Sequence, residues 1–472
     1  MHAWSAGGTV VRRLVLIFIS TAAVEAAPAE AADLLIRDAS ILDAAAGSVR
    51  RGSVVIEDGV IREVRGDLAE DVDAGRVIDA LGRLLTPGLI DVHHHTSFVL
   101  GDSITAGGGE ITRLTMHPDS IAAYRDRFAA AYMPHGVTTV RDLGSADEDL
   151  PMLLAWRERS QRHPDFYPAG GALVSHQEGR PPYQGHTVLA DSADAVARIR
   201  AYHDAGLRHV KLYWRLREPE LRAAFAEATR LGMNVTGHID YHIVPFEHTL
   251  DMGLRSFEHA YTLGVAALTE AEYVAVWEGP ITRIYGDRRR GLFFLAVMEC
   301  FNALGPDNPR VEALVRRLGE LSCTVVPTLH IFAQRLDLSS FTTPSRGSFD
   351  DMSGLTAVQR ARAREGYTLL AELTADLHRS GVRLALGTDC VDPGEAALAE
   401  MLLLRDAGIP MEDVFRIATV NGAEAIGVAA EVGTIETGKR ANLVLFETDP
   451  LRAPAALLGP KIVIKDGVVF EP

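Results

Sequence analysis

Apolar and polar positions change their period several times along the chain, and the changes divide it. Near the start, Leu34-Leu35-Ile36, Ser53 to Glu57, Val60 to Val64 and Arg76-Val77-Ile78 are short apolar or alternating runs. Asp58-Gly59 between two of them predicts a hairpin. The pattern returns at the far end, where Lys461 to Phe470 turns at Asp466-Gly467 and follows Ala441 to Phe446. Because chain ends commonly lie close together, residues 33–86 plus 433–472 are expected to build one small β-sandwich. Between them, apolar runs alternate with helical stretches. The runs are Leu89 to Val92, Gly136 to Asp142, Tyr167 to Leu173, His209 to Tyr213, Asn234 to Ile239, Arg255 to His259, Cys323 to Leu329 and Val382 to Asp389. Glu218 to Leu231, apolar at helical spacing, separates the fourth from the fifth. This alternation predicts an α/β fold, a (β/α)8 TIM-type barrel over residues 87–432. The long connections, residues 260–322 and 330–381, suit lids or pocket walls.

Residues 1–31 fall outside this scheme. Arg12-Arg13, the apolar Leu14 to Val24 and the small residues from Ala26 to Ala32 predict a signal peptide. Its apolar run is too short to span a bilayer, so the mature chain is expected to work in the periplasm or outside the cell, free of the membrane. With 63 Asp+Glu against 47 Lys+Arg, the net charge of −16 makes nucleic acid a poor partner. The 3 cysteines have no CxxC spacing, which argues against a zinc ribbon and leaves one Cys300–Cys323 bridge open.

The basic residues carry more information when divided. Lys211, Lys439, Lys461 and Lys465 are the only lysines, so Lys211 stands alone among arginines through the first 438 residues. It lies in an apolar run, His209 to Trp214, where the bland reading is a snorkelling amine and the sharper one is chemistry that arginine cannot do. Pro87 to Val92 feeds straight into His93-His94-His95. Side chains two apart in a strand share a face, so His93 and His95 can point together into the barrel mouth while His94 points away as a structural residue. His238 and His259 close the next candidate strands and Asp389 closes the last. Strand C-termini converge on the face where barrel sites lie, so this set reads as a metal site.

Taken together, PGLIDVHHH (Pro87 to His95), GVTTVRDLG (Gly136 to Gly144), VKLY around Lys211, TGH at His238, FEH at His259 and GTD at Asp389 resemble the amidohydrolase superfamily, in its binuclear-metal branch. The tail from Pro410 to Asp449 fits as well. The resemblance implies two divalent ions, expected to be zinc although histidine and oxygen ligands also accept Mn, Co or Ni. It implies His93, His95 and Asp389 on one ion, His238 and His259 on the other, and Lys211 bridging them as an N6-carboxylysine. A hydroxide shared by the ions would attack the substrate, with Asp389 shuttling the proton to the leaving group.

The resemblance further implies a hydrolase of C–N amide bonds in a small N-acyl amino acid, dipeptide or related amide, similar to prolidases and dipeptidases. An esterase, lactonase or phosphotriesterase would use the same ligands; deamination of a ring substrate or a non-catalytic binding role is less favoured. Tyr213-Trp214-Arg215 replaces the glycine-rich segment common after the lysine, and Ser175 to Arg180 replaces a double-glycine-histidine loop. His176, Arg180, Tyr183, Tyr213, Arg215 and His330 are therefore the candidate substrate contacts. Cys390 reads as a packing residue, and a homo-oligomer is compatible with the sequence.

Overall fold

The computed structural model describes residues 32–100, 102–106, 109–113, 121–178, 185–239, 241–286, 292–338 and 354–471. The predicted signal peptide lies outside these residues.

Strands from both chain ends join one sheet. Its order is Val468–Val469, Lys461–Lys465, Leu443–Phe446, Leu84–Pro87, Ala32–Asp43, Ser48–Glu57 and Val60–Arg65, with Ala74–Asp79 also pairing with Ala32–Asp43. The two ends meet where Leu443 lies opposite Pro87 in an antiparallel ladder. Ile36, Ile41, Val54, Leu85, Leu443 and Ile464 fill its apolar interior. The two Asp-Gly turns pack against each other: a Cβ on Gly59, whose φ is +75°, would lie 2.9 Å from the Asp466 carbonyl oxygen. Glycine is needed there for both reasons.

The central segment forms a barrel of parallel strands. Leu89–His94 pairs with Val137–Asp142, which pairs with Asp165–Pro168. A second run of parallel ladders orders Ala172–Ser175, His209–Leu212, Asn234–Gly237, Ser256–Glu258, Thr324–Val326 and Arg383–Leu384. The ring closes where Val92 N–H donates to Leu386 O at 2.9 Å, and where the Thr388 and Asp389 N–H groups both donate to His93 O. The α-helix Glu218–Arg230 shows why these segments fold as they do. Pro219 stands in its first turn, and Leu221, Ala224 and Ala228 recur on the buried face.

Two expectations need correction, and one open question is answered. The single third strand, Tyr167 to Leu173, is two strands, Asp165–Pro168 and Ala172–Ser175. Gly170, at φ +75°, turns the chain between them, and a Cβ on Gly171 would meet the Thr187 hydroxyl at 2.1 Å. That close approach admits His186–Leu189 as an extra parallel neighbour of Ala172–Ser175. The last strand keeps regular pairing only over Arg383–Leu384. Cys300 and Cys323 form no bridge; both are free and buried.

The two long connections are helical. Residues 260–322 contain helices Ala260–Ala266, Glu270–Val276, Trp277–Tyr285, Leu292–Leu304 and Pro309–Glu320. The second contains His330–Arg335 and the 23-residue Ala357–Arg379. A hairpin of Asp102–Ala106 with Gly109–Arg113 has no counterpart in the expected strands. Among the described residues, no helix is long and apolar enough to cross a membrane.

Candidate metal centre

Strand ends bring the histidines together. The His93 and His259 ring centroids lie 4.7 Å apart, His238 and His259 4.6 Å, and His93 and His95 5.5 Å. Asp389 sits among them, 3.4 Å from His95 Nε2, 3.7 Å from His259 Nε2 and 3.9 Å from His93 Nε2. Ligand atoms of His93, His95 and Asp389 all lie within 4.8 Å of one another. Lys211 is fully buried beneath this cluster.

Hydrogen bonds fix which ring nitrogen each histidine presents. His93 Nδ1 lies 2.6 Å from Glu258 Oε2; a carboxylate accepts, so the ring proton sits on Nδ1 and Nε2 keeps its lone pair. His95 Nδ1 likewise faces the Gly144 carbonyl at 3.2 Å. The Thr328 hydroxyl donates to Pro327 O and so accepts from His259 Nδ1 at 2.9 Å. His238 is turned the other way, with Nε2 3.0 Å from the Tyr261 hydroxyl and Nδ1 buried. His93 Nε2, His238 Nδ1 and Lys211 Nζ are buried without a hydrogen-bond partner among the described residues.

Such orphaned atoms are costly in a protein interior, where polar groups are ordinarily paired. A divalent cation accounts for the two imidazole nitrogens: neutral imidazole lone pairs and carboxylate oxygens are its ordinary ligands, and the histidines and Asp389 fit it. Burial holds the imidazoles of His93, His238 and His259 neutral, well below their usual range. Burial raises Asp389, and it pushes the Lys211 amine down to about 8. The neutral imidazoles suit a metal ligand, whereas the rise at Asp389 favours its protonated form and a bound cation would oppose it.

A second layer holds the ligands, and most of it escaped sequence reasoning. Glu258 accepts from Arg141 Nη2 at 3.0 Å and from the Thr236 hydroxyl at 2.6 Å while holding His93, and Arg141 itself is fully buried. Asp91 accepts from the backbone of His93 and of Thr388 and from the Thr388 hydroxyl at 2.5 Å, tying the first strand to the segment that carries Asp389. Glu400, from helix Pro393–Asp406, accepts the N–H groups of Leu329 and His330 and braces the corner beside His259. Glu258 and Arg141 lie inside the quoted sequence motifs, where the neighbouring ligands drew the attention. Nothing local marks Glu400.

The candidate substrate contacts scatter. Tyr213 packs edge-on against His238 at 4.9 Å, and against His186 at 4.8 Å. Arg215 and His330 are buried at 2 % and 1 % exposure, and His176 is exposed. Arg180 and Tyr183 lie outside the described residues. His94 is buried among the rings of Phe98, Phe128 and Tyr132, and Cys390 packs its Sγ 3.6 Å from Gln334.

Comparison with known proteins agrees with this geometry. The amidohydrolase family matches residues 84–469. A 5'-deoxyadenosine deaminase from Methanothermobacter thermautotrophicus is 25% identical over 441 residues, covering 88% of this chain and 84% of the relative. An imidazolonepropionase from Geobacillus kaustophilus is 25% identical over 467 residues, covering 90% and 92%. Among solved structures, a Xaa-Pro dipeptidase with bound methionine superposes at TM-score 0.64 with 19% identity, over 93% of this chain and 100% of that one. A. niger ochratoxinase does so at 0.64 with 18% identity, over 94% and 97%.

Proposed function

Since the chain belongs to the amidohydrolase family and is a hydrolytic enzyme acting on C–N bonds, we propose that it cleaves small amides, of the N-acyl amino acid or dipeptide class, at a two-metal centre. His93, His95 and Asp389 would hold one ion, expected to be zinc, and His238 and His259 the other, with Lys211 shared between them. The observation that carries this reading is the convergence of His93 Nε2, His238 Nδ1 and Lys211 Nζ as buried atoms with no partner among the described residues. Family members generally bind divalent metals. When bound, the metal supplies Lewis-acid activation of water and of the substrate carbonyl.

The protein's own groups do the rest. Glu258 and Thr328 hold the imidazoles of His93 and His259 with their lone pairs inward. Asp389, a carboxylate beside His95 Nε2, takes the proton of the attacking water and returns it to the departing nitrogen. An amine leaves poorly without that proton, so Asp389 is the group on which amide cleavage depends. The neutral Lys211 amine adds to carbon dioxide, forming an N–C bond and releasing one proton. The resulting carbamate offers two oxygens where a protonated amine would repel cations. Phe98 and Tyr261 flank the cluster with apolar surface. The signal-like residues 1–31 support export, with the mature chain working outside the cytoplasm and off the membrane.

The test is metal analysis of purified protein together with a panel of N-acyl amino acids, dipeptides, carboxylic esters, organophosphates and amino-purines. Two metal equivalents and amide turnover at least about tenfold above every other class are expected. Ammonia release from the amino-purines as the leading activity, in line with the deaminase relatives, would overturn the amide reading.

A further inference from the structure

The N-terminal ends of the barrel strands lie on the face opposite the histidine cluster, and a second row of chemistry-bearing side chains meets there. The turn between helix Leu150–Ala155 and strand Asp165–Pro168 carries Ser160 and His163. Ser160 Oγ lies 2.7 Å from His163 Nδ1, and His163 Nε2 lies 2.8 Å from Asp126 Oδ1 on helix Ile121–Tyr132. A carboxylate accepts, so the ring proton sits on Nε2 and the Nδ1 lone pair receives the Ser160 hydroxyl proton. The Arg162 N–H donates to the same hydroxyl oxygen at 3.2 Å, which fixes the hydroxyl as donor to the ring. Burial lowers the His163 pKa against the pull of Asp126, with Arg125 and Arg162 nearby adding to the fall, so the ring is a neutral base. Ser160 opens on a cleft of about 200 Å³ lined also by Asp58, Gly59, Arg159, Gln161 and Asp466.

We propose that Ser160, His163 and Asp126 form a second nucleophilic site, independent of the metal centre, that cleaves small neutral esters. Nucleophile, base and orienting carboxylate stand in the order such catalysis needs. Ser160 Oγ bonds to the ester carbonyl carbon while its proton passes to His163 Nδ1, and Asp126, a positioning residue, steadies the imidazolium. The bond from that carbon to the alkoxide then breaks, and the Nδ1 proton leaves with the alcohol. Water attacks the acyl-Ser160 by the same route, freeing the acid and restoring the hydroxyl. Gln161, beside the nucleophile, supplies carboxamide N–H groups for the developing oxyanion. Arg159 is paired with Glu431, and Asp58 and Asp466 bring negative charge to the cleft, so it suits a neutral acyl group. Asp126 is 59% exposed, and solvent weakens its hold on the imidazolium; an alkoxide, which leaves more readily than an amine, matches that weaker base.

Covalent labelling of the full chain tests this, with diisopropyl fluorophosphate as phosphorylating probe and p-nitrophenyl acetate as acylating probe, read by intact mass and peptide mapping. Both labels are expected on Ser160, at the same rate with and without a metal chelator. Ser160→Ala should abolish them at that peptide, and His163→Ala should slow labelling by at least about 100-fold. Asp126→Asn should slow it about tenfold or more and lower the pH midpoint of labelling, because the imidazolium loses its counter-charge; a merely structural bond would leave that midpoint where it is. Absence of label on Ser160 overturns the site. So does a rate that survives His163→Ala, which would make Ser160 an ordinary hydroxyl, and so does a rate that falls with the chelator, which would tie the chemistry to the metal centre. Should His163→Ala fail to fold, the rate and pH midpoint of Asp126→Asn decide.

Discussion

Two lysines of this chain are fully buried, and they are buried in opposite ways. Lys465 lies in the sheet built from the chain ends, with Nζ 2.6 Å from Asp466 and 3.2 Å from Asp165. Arg440 grips the same two carboxylates at 2.6 and 2.7 Å, and Asn442 donates to Asp165 at 2.9 Å. Lys211 lies beneath the barrel mouth with no partner for Nζ among the described residues. Burial lowers the pKa of both amines, so a depressed pKa does not separate them. What separates them is completeness. Around Lys465 opposite charges meet one another and need nothing further; around Lys211 lone pairs and an amine face inward without partners. The first arrangement is a fastening between barrel strand and end-built sheet, and the second is the place where we propose that metal is held.

Asp389→Asn should strike the incomplete cluster hardest, since it removes the proposed proton carrier. Turnover of the best amide should fall by about 10²- to 10⁴-fold with a native circular dichroism spectrum, and unchanged turnover would remove the role assigned to Asp389. Lys211→Ala should lose metal by elemental analysis and activity with it, partly recovered by adding a short carboxylic acid; full metal content would show that the two buried lysines are alike after all. In the complete cluster, Asp165→Ala leaves Lys465 and Arg440 short of a counter-charge. It should cost about 3–5 kcal/mol of unfolding free energy in urea while metal content stays at the wild-type level. A loss below about 1 kcal/mol would deny that the network fastens anything.

Glu258→Gln is a smaller probe of how the incomplete cluster is held. Chelator competition should show metal affinity about 10- to 100-fold weaker, as for other partners of metal-bound imidazoles. The smallest expected effect is one of pH. Burial raises Glu400 to about 7, above the roughly 4.3 of an unfolded chain, so the folded state binds this proton more tightly. The contribution is fully present below pH about 4 and is lost as pH rises to about 7. Glu400→Gln should therefore flatten the fall in melting temperature across that window, and an unaltered slope would assign it to other groups.

The sequence shows the proposed ligands more clearly than their supports. His93, His95, His238, His259 and Asp389 each stand at the end of an apolar run and Lys211 inside one, and residue type and position together expose them. The barrel is legible for the same reason, since strand and helix periods alternate. Gly170-Gly171 misleads because an apolar run looks unbroken when its interruption is a backbone turn. Glu258 meets Arg141 across 117 residues and His93 across 165, and Glu400 meets the His330 N–H across 70, pairings that only a folded chain reveals.

The Asp91 clamp has a kinetic side. It joins Thr388 across 297 residues, and that bond sets the segment carrying Asp389 against the strand carrying His93. Contacts so distant in sequence form late, because their loop must close before they return any stability. A chain still emerging from the ribosome would hold the first pair of histidines but not the carboxylate that completes them. The proposed metal centre would therefore be complete only at the end of folding, when the last strand arrives.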